Sequence, residues 1–134
     1  MTFRTSMAGI ALLAMLGSGA ATASDWQKVE DPKELRALYS NKTHRQLSYS
    51  REATMTHYRA DGKALFISGE RRIPRTWEIK GNDQVCWSDD VQGQACVRVE
   101  RNKQNPSEIM VQQAGDSFGL TGGMVRIEDG IPKF

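Results

Sequence analysis

Residues Arg75 to Glu100 read R-T-W-E-I-K-G-N-D-Q-V-C-W-S-D-D-V-Q-G-Q-A-C-V-R-V-E and hold both cysteines, two of the three tryptophans and the clearest strand alternation in the chain. Side chains on a strand alternate between its two faces. If Cys86 sits directly across from Cys96 on a neighbouring antiparallel strand, Val85 meets Val97 and Trp87 meets Ala95. Val85, Trp87, Ala95, Val97 and Val99 then share one face, and the cysteines share the other with Gln84 and Arg98. The connection Gly81-Asn82-Asp83 extends the pattern backwards. Turn chemistry favours a two-residue loop there, but that loop sets Trp77 against Cys86. An odd-length loop sets Trp77 against Trp87 and Ile79 against Val85. A one-residue slip would turn the whole apolar set outward, so the odd loop is expected. The result is a three-stranded sheet with an apolar inner face and a disulfide on its outer, polar face.

Working outward from that sheet, the chain alternates strands with turn signals. Strands are expected at Thr43–Ser48, Thr54–Arg59, Ala64–Ser68, Arg75–Lys80, Gln84–Ser88, Ala95–Arg101, Glu108–Gln113 and Met124–Glu128. Asp61-Gly62 is the strongest hairpin signal. A two-residue turn there pairs Tyr58 with Leu65 and Thr56 with Ile67. One helix precedes the strands: Asp31 suits the cap, Pro32 the first turn, Glu34 a capping box, and Leu35, Leu38 and Tyr39 form one apolar stripe. A helix this short needs a docking partner, here the end or open face of the sheet. The expected fold is mainly β, an antiparallel meander closing into a small barrel or strongly curved sheet with one short N-terminal helix.

Residues 1–23 carry the pattern of a secretory signal: Arg4, an apolar run from Met7 to Leu16, and Ala21-Thr22-Ala23 before a cut. The apolar run is far shorter than the roughly 20 residues of a membrane-spanning helix. The expected organisation is a signal peptide at 1–23 and one β-rich domain at 24–134, in the periplasm. Removing residues 1–23 takes away Arg4 and lowers the formal net charge from +2 to +1. Such a balance does not point to nucleic acid, and no other apolar run is long enough to span a membrane. In an exported chain Cys86 and Cys96 read as one structural disulfide. A redox motif of the C-x-x-C type is missing. A zinc site would want four ligands, and His44 and His57 lie far away. No metal or cofactor is expected.

Four groups of residues are candidates for function, each beside a plainer reading. Residues 42–75 hold eight Lys or Arg against three Asp or Glu, densest at Arg71, Arg72 and Arg75. They form either a site for an anionic partner or a strand edge blocked by charge and Pro74. Asp89 and Asp90 sit in the loop spanned by the cysteines, as a partner-binding tip or an ordinary polar turn. Trp77 and Trp87 are either ligand-lining or core. His44 and His57 are candidate general bases that no nucleophile motif accompanies. Gly115 to Gly123, G-D-S-F-G-L-T-G-G, lacks the ending of a phosphate-binding loop.

Several phrases carry a resemblance: E-L-R-A-L-Y-S-N-K-T at Glu34–Thr43, Y-R-A-D-G-K at Tyr58–Lys63, T-W-E-I-K-G-N-D-Q-V-C-W at Thr76–Trp87, and A-C-V-R-V at Ala95–Val99. In these the chain resembles small exported proteobacterial proteins of unknown function. The inward Trp on a strand is also similar to lipocalin-like barrels, whose G-x-W lies in the first strand, whereas Trp77 follows Arg75-Thr76 in mid-chain. The resemblance implies an envelope location and a compact β domain and supplies no catalytic residues. The leading expectation is a non-enzymatic, monomeric binding or envelope-accessory module whose partner is a small ligand or an envelope protein. The alternatives are a hydrolase inhibitor using the loop 88–94 and a small hydrolase-like enzyme with a histidine base.

Overall fold

The computed structural model describes residues 25–47, 53–115 and 123–134. The expected signal segment 1–23 and most of the glycine-rich stretch lie outside the described residues. The strands are β1 (Trp26–Lys28), β2 (Lys42–Leu47), β3 (Thr54–Tyr58), β4 (Lys63–Ser68), β5 (Arg71–Lys80), β6 (Gln84–Asp89), β7 (Gly93–Asn102), β8 (Glu108–Ala114) and β9 (Gly123–Asp129), with one helix, α1 (Pro32–Tyr39). All pairings are antiparallel. Strands β2 to β9 follow one another as a meander, and β9 pairs back onto β2, closing an eight-stranded barrel. Closure satisfies the edges that an open meander would expose. Among the described residues, no helix is long and apolar enough to cross a membrane.

The register around the cysteines is as the sequence implies. Cys86 pairs with Cys96, Val85 with Val97 and Trp87 with Ala95. Across the odd loop, Trp77 pairs with Trp87 and Ile79 with Val85. The disulfide joins Cys86 to Cys96, on the face opposite the buried Val85 and Val97.

One sequence expectation needs correction. At the Asp61-Gly62 hairpin, Tyr58 faces Ala64 and Thr56 faces Phe66, one residue away from the two-residue turn. The loop has three residues, Ala60-Asp61-Gly62. Arg59 N donates to Lys63 O at 2.8 Å, Gly62 N donates to Arg59 O at 3.2 Å, and Gly62 sits at φ +94. A turn ending in a left-handed glycine is the usual three-residue hairpin. The shift puts Phe66, in place of Leu65 and Ile67, on the inner face with Tyr58 and Thr56. Outside the expected strands, Trp26–Lys28 also forms a strand. β1 pairs with Glu100–Asn102 of β7, beyond the Gly93–Arg98 segment that β6 occupies.

Helix α1 has the expected cap and apolar stripe, but Glu34 pairs with Arg101 rather than closing a capping box. Asp31 Oδ1 accepts from Lys33 N at 3.0 Å, and Pro32 stands in the first turn. Leu35 and Tyr39 are buried and join Tyr58, Trp77, Val85, Val97, Val99 and Ile109 in one core. The helix contacts β2 and β5. It therefore covers the end of the barrel where β2 and β6 begin and β5 ends.

Candidate functional site

The barrel interior changes character along its axis. At the helix end it is packed. Trp77 is buried, donates Nε1–H to Arg59 O at 2.8 Å, and stacks on Tyr39 with ring centroids 5.8 Å apart. His44 is also inside, with Tyr39 and Tyr58 ring centroids at 4.3 and 4.8 Å. Its Nε2 lies 2.8 Å from Leu38 O. A carbonyl only accepts, so Nε2 carries the proton and donates. Burial pushes the His44 pKa down to about 4, against the opposing pull of the Leu38 carbonyl. The ring is neutral and ties α1 to β2.

At the opposite end, where β5 begins and β6 ends, the positions of inward register are Gln46, Thr54, Ser68, Arg71, Gly93, Gln113 and Gly123. A Cβ on Gly123 would come within 3.3 Å of the Gln46 side chain, as expected of two residues sharing the inner face. Polar residues and glycine replace the valines of the other half. Arg71 and Gln113 are exposed, and Thr54, Phe66, Ser68 and Trp87 are only half-buried. Among the described residues, the inner wall at this end is partly exposed.

Below that end lies a buried ion pair. The register that sets Trp77 against Trp87 continues to set Arg75 against Asp89. Arg75 Nε donates to Asp89 Oδ2 at 2.7 Å, and these side chains are 6% and 0% exposed. Arg75 Nη2 donates to Gln92 Oε1 at 2.6 Å. The guanidinium lies between two aromatic faces, 4.0 Å from the Phe66 centroid and 3.7 Å from that of Trp87. Asp89 Oδ1 accepts from the backbone N–H groups of Val91 at 2.8 Å and Gln92 at 2.5 Å. Burial alone would raise the Asp89 pKa, but the Gln92 amide, the Arg75 guanidinium and the Val91 amide outweigh it and hold the carboxyl below its ordinary range. Burial also draws Arg75 down, against the pull of Asp89. Inside a barrel, such a pair stands only because its donors and acceptors are used.

The candidate residues therefore separate. Arg75 and Asp89 come together, inside, and Trp87 and Phe66 enclose them. Trp77 belongs to the packed half. Asp90 is exposed at the β6–β7 tip beside Val91, which is 64% exposed. Arg72 is exposed, has outward register and lies on the stretch of β5 that extends beyond the end of β6. Cys86 is buried on the outer wall.

His57 lies on the outside of the same wall that carries His44 inside. Thr43 Oγ1 donates to Gly130 O at 2.8 Å and so accepts from His57 Nδ1 at 2.7 Å. Burial, then Arg45 and Arg72, lower the His57 pKa. The histidines are on opposite faces, and neither is hydrogen-bonded to a carboxylate among the described residues. No group of three His, Cys, Asp or Glu side chains converges among those residues either.

The sequence reading missed Phe66 on the inner face beside Thr56 and Tyr58, through the hairpin slip. The triplet Ala60-Asp61-Gly62 carries the signal, because its glycine suits the third loop position. It also missed an open groove of about 520 Å³ between Asn41, the Ala60-Asp61 turn and residues 131–134. There Arg59 Nη1 donates to Phe134 O at 2.6 Å. Comparison with known families, curated proteins and solved structures returned no match. The barrel is compatible with a lipocalin-like architecture.

Proposed function

We propose that this barrel is a binding module for a small organic ligand, which enters at the end opposite α1. One observation carries the reading: the inner wall is packed and apolar under the helix and becomes polar and partly exposed at the other end. A barrel that needed only a core would keep its apolar residues throughout, since small barrels are normally filled by side chains. Half-buried aromatics with a few convergent polar groups are the usual composition of a ligand site. The N-terminal signal pattern and the disulfide support a place in the periplasm. Both histidines are engaged in structural hydrogen bonds, which favours binding over acid–base catalysis.

The test uses N-phenyl-1-naphthylamine, a neutral fluorescent probe, and the substitution Ser68→Trp at the inner rim. The folded wild type should bind the probe with increased emission. S68W should lose most of that signal while still unfolding in a single cooperative urea transition. Binding that S68W leaves unchanged would overturn the reading.

One observation favours a second use, as a protein-binding tip. Residues 90–92 are held by Asp89 and by the contact of Arg75 with Gln92, and they present Val91 outward. A tip so held loses little freedom on docking. If Val91→Asp abolished an interaction with an envelope protein that S68W left intact, this second use would stand in place of the first.

A further inference from the structure

We infer that the ligand is a compact monoanion, bound with its charged group at Arg71 and its apolar body directed inward. This deepens the proposed mouth site and rests on it.

The charge argument comes from the described inner wall. Of the inward positions at the end opposite α1, Arg71 alone carries a charge that is not already neutralised. Arg75 is paired with Asp89 and held by Gln92, and its two faces are covered by Phe66 and Trp87. Arg71 is exposed, makes no ion pair among the described residues, and stands opposite Ser68 at the start of β5. The strand pattern fixes its side: Arg71, Ile73, Arg75 and Trp77 alternate with the exposed Arg72, Pro74 and Thr76. One guanidinium fork matches one carboxylate or sulfonate. A dianionic phosphate would want more cationic partners than this wall provides.

The size argument comes from the floor. Arg71 and Arg75 lie four residues apart on β5. At about 3.3 Å per residue and a barrel tilt near 40°, the depth between them is about 10 Å. Phe66 and Ile73 stand between them, Trp87 pairs with Trp77 beyond Arg75, and the Arg75–Asp89 pair closes the depth. A pair of fused or linked rings, or a short alkyl chain, matches that depth. A long chain does not.

Two probes differing by one anionic group provide the test. Anilinonaphthalene sulfonate has the rings of N-phenyl-1-naphthylamine plus a sulfonate. The substitution Arg71→Gln should weaken sulfonate binding about tenfold or more, the scale of one charged hydrogen bond, and leave the neutral probe within about twofold. Added salt should weaken only the sulfonate, as screening requires. Sulfonate affinity that R71Q leaves unchanged, with S68W still excluding both probes, would overturn the monoanion assignment and keep the mouth site. Binding of both probes that neither R71Q nor S68W affects would overturn the mouth site itself. A dodecyl carboxylate competing better than hexanoate by more than their difference in transfer free energy would overturn the depth limit.

Discussion

Arg75 shows how a charge comes to be stable inside a small barrel. Its Nε and Nη2 have acceptors, its faces have aromatic rings, and its counter-ion Asp89 accepts two backbone amides as well. Removing one partner strands the other charge in a dry setting, at a typical cost of about 3–5 kcal/mol. Asp89→Ala should therefore lower unfolding stability by that order, measured by urea denaturation. It should also loosen the tip, seen as faster hydrogen exchange at the Val91 and Gln92 amides. The paired replacement Arg75→Met with Asp89→Leu should recover much of the stability, because it leaves no orphan charge. If D89A cost less than about 1 kcal/mol, the ion pair would not be the brace that its contacts describe. The pairing of Arg75 with Asp89 was legible in the sequence, since it continues the register that places Trp77 against Trp87. Reading arginines and aspartates as surface residues hid it: the strand alternation indicates the face, while composition suggests solvent.

At the scale of elements, α1 closes the barrel and His44 is its tether. The helix cap and stripe, the eight main strands apart from the Arg71–Pro74 half of β5, and the cysteine register were legible, because each rests on local chemistry or on face matching. The hairpin at Gly62 was not, because two-residue and three-residue loops both accept Asp-Gly and differ only in where the left-handed glycine falls. β1 carries too few residues to show alternation. The His44 tether has a pH signature. Its pKa is ordinarily 6.5 and falls to about 4 in the fold. Between these values the unfolded chain binds a proton that the folded chain does not. Stability is thus fully expressed above pH 6.5 and declines as pH drops towards 4, by about 3 kcal/mol at 1.36 kcal/mol per unit. His57 is shifted in the same direction, so the clean comparison is His57→Gln against the double variant with His44→Gln. Urea midpoints measured from pH 5 to 7 should slope with pH in the first and flatten in the second. Equal slopes would mean that the buried ring is not the group being titrated.

At the scale of the molecule, the disulfide and the candidate site lie on opposite sides of the barrel wall. Closure between β2 and β9 joins strands some eighty residues apart, and no local pattern announces it. The Cys86–Cys96 link spans ten residues within one hairpin and contributes nothing to that closure. Its stabilisation should therefore be local in origin, about 3 kcal/mol on the chain-entropy model. Inner-face pairs such as Trp77 with Trp87 and Val85 with Val97 hold the same register without it. The double substitution of Cys86 and Cys96 to Ala should thus lower the urea midpoint by an amount of that order. The chain should remain folded at 25 °C, and N-phenyl-1-naphthylamine affinity should stay within about twofold. The opposite pattern, normal stability with lost binding, would show that the outer wall shapes the interior. The sulfurs would then belong to the binding mechanism as well as to the scaffold.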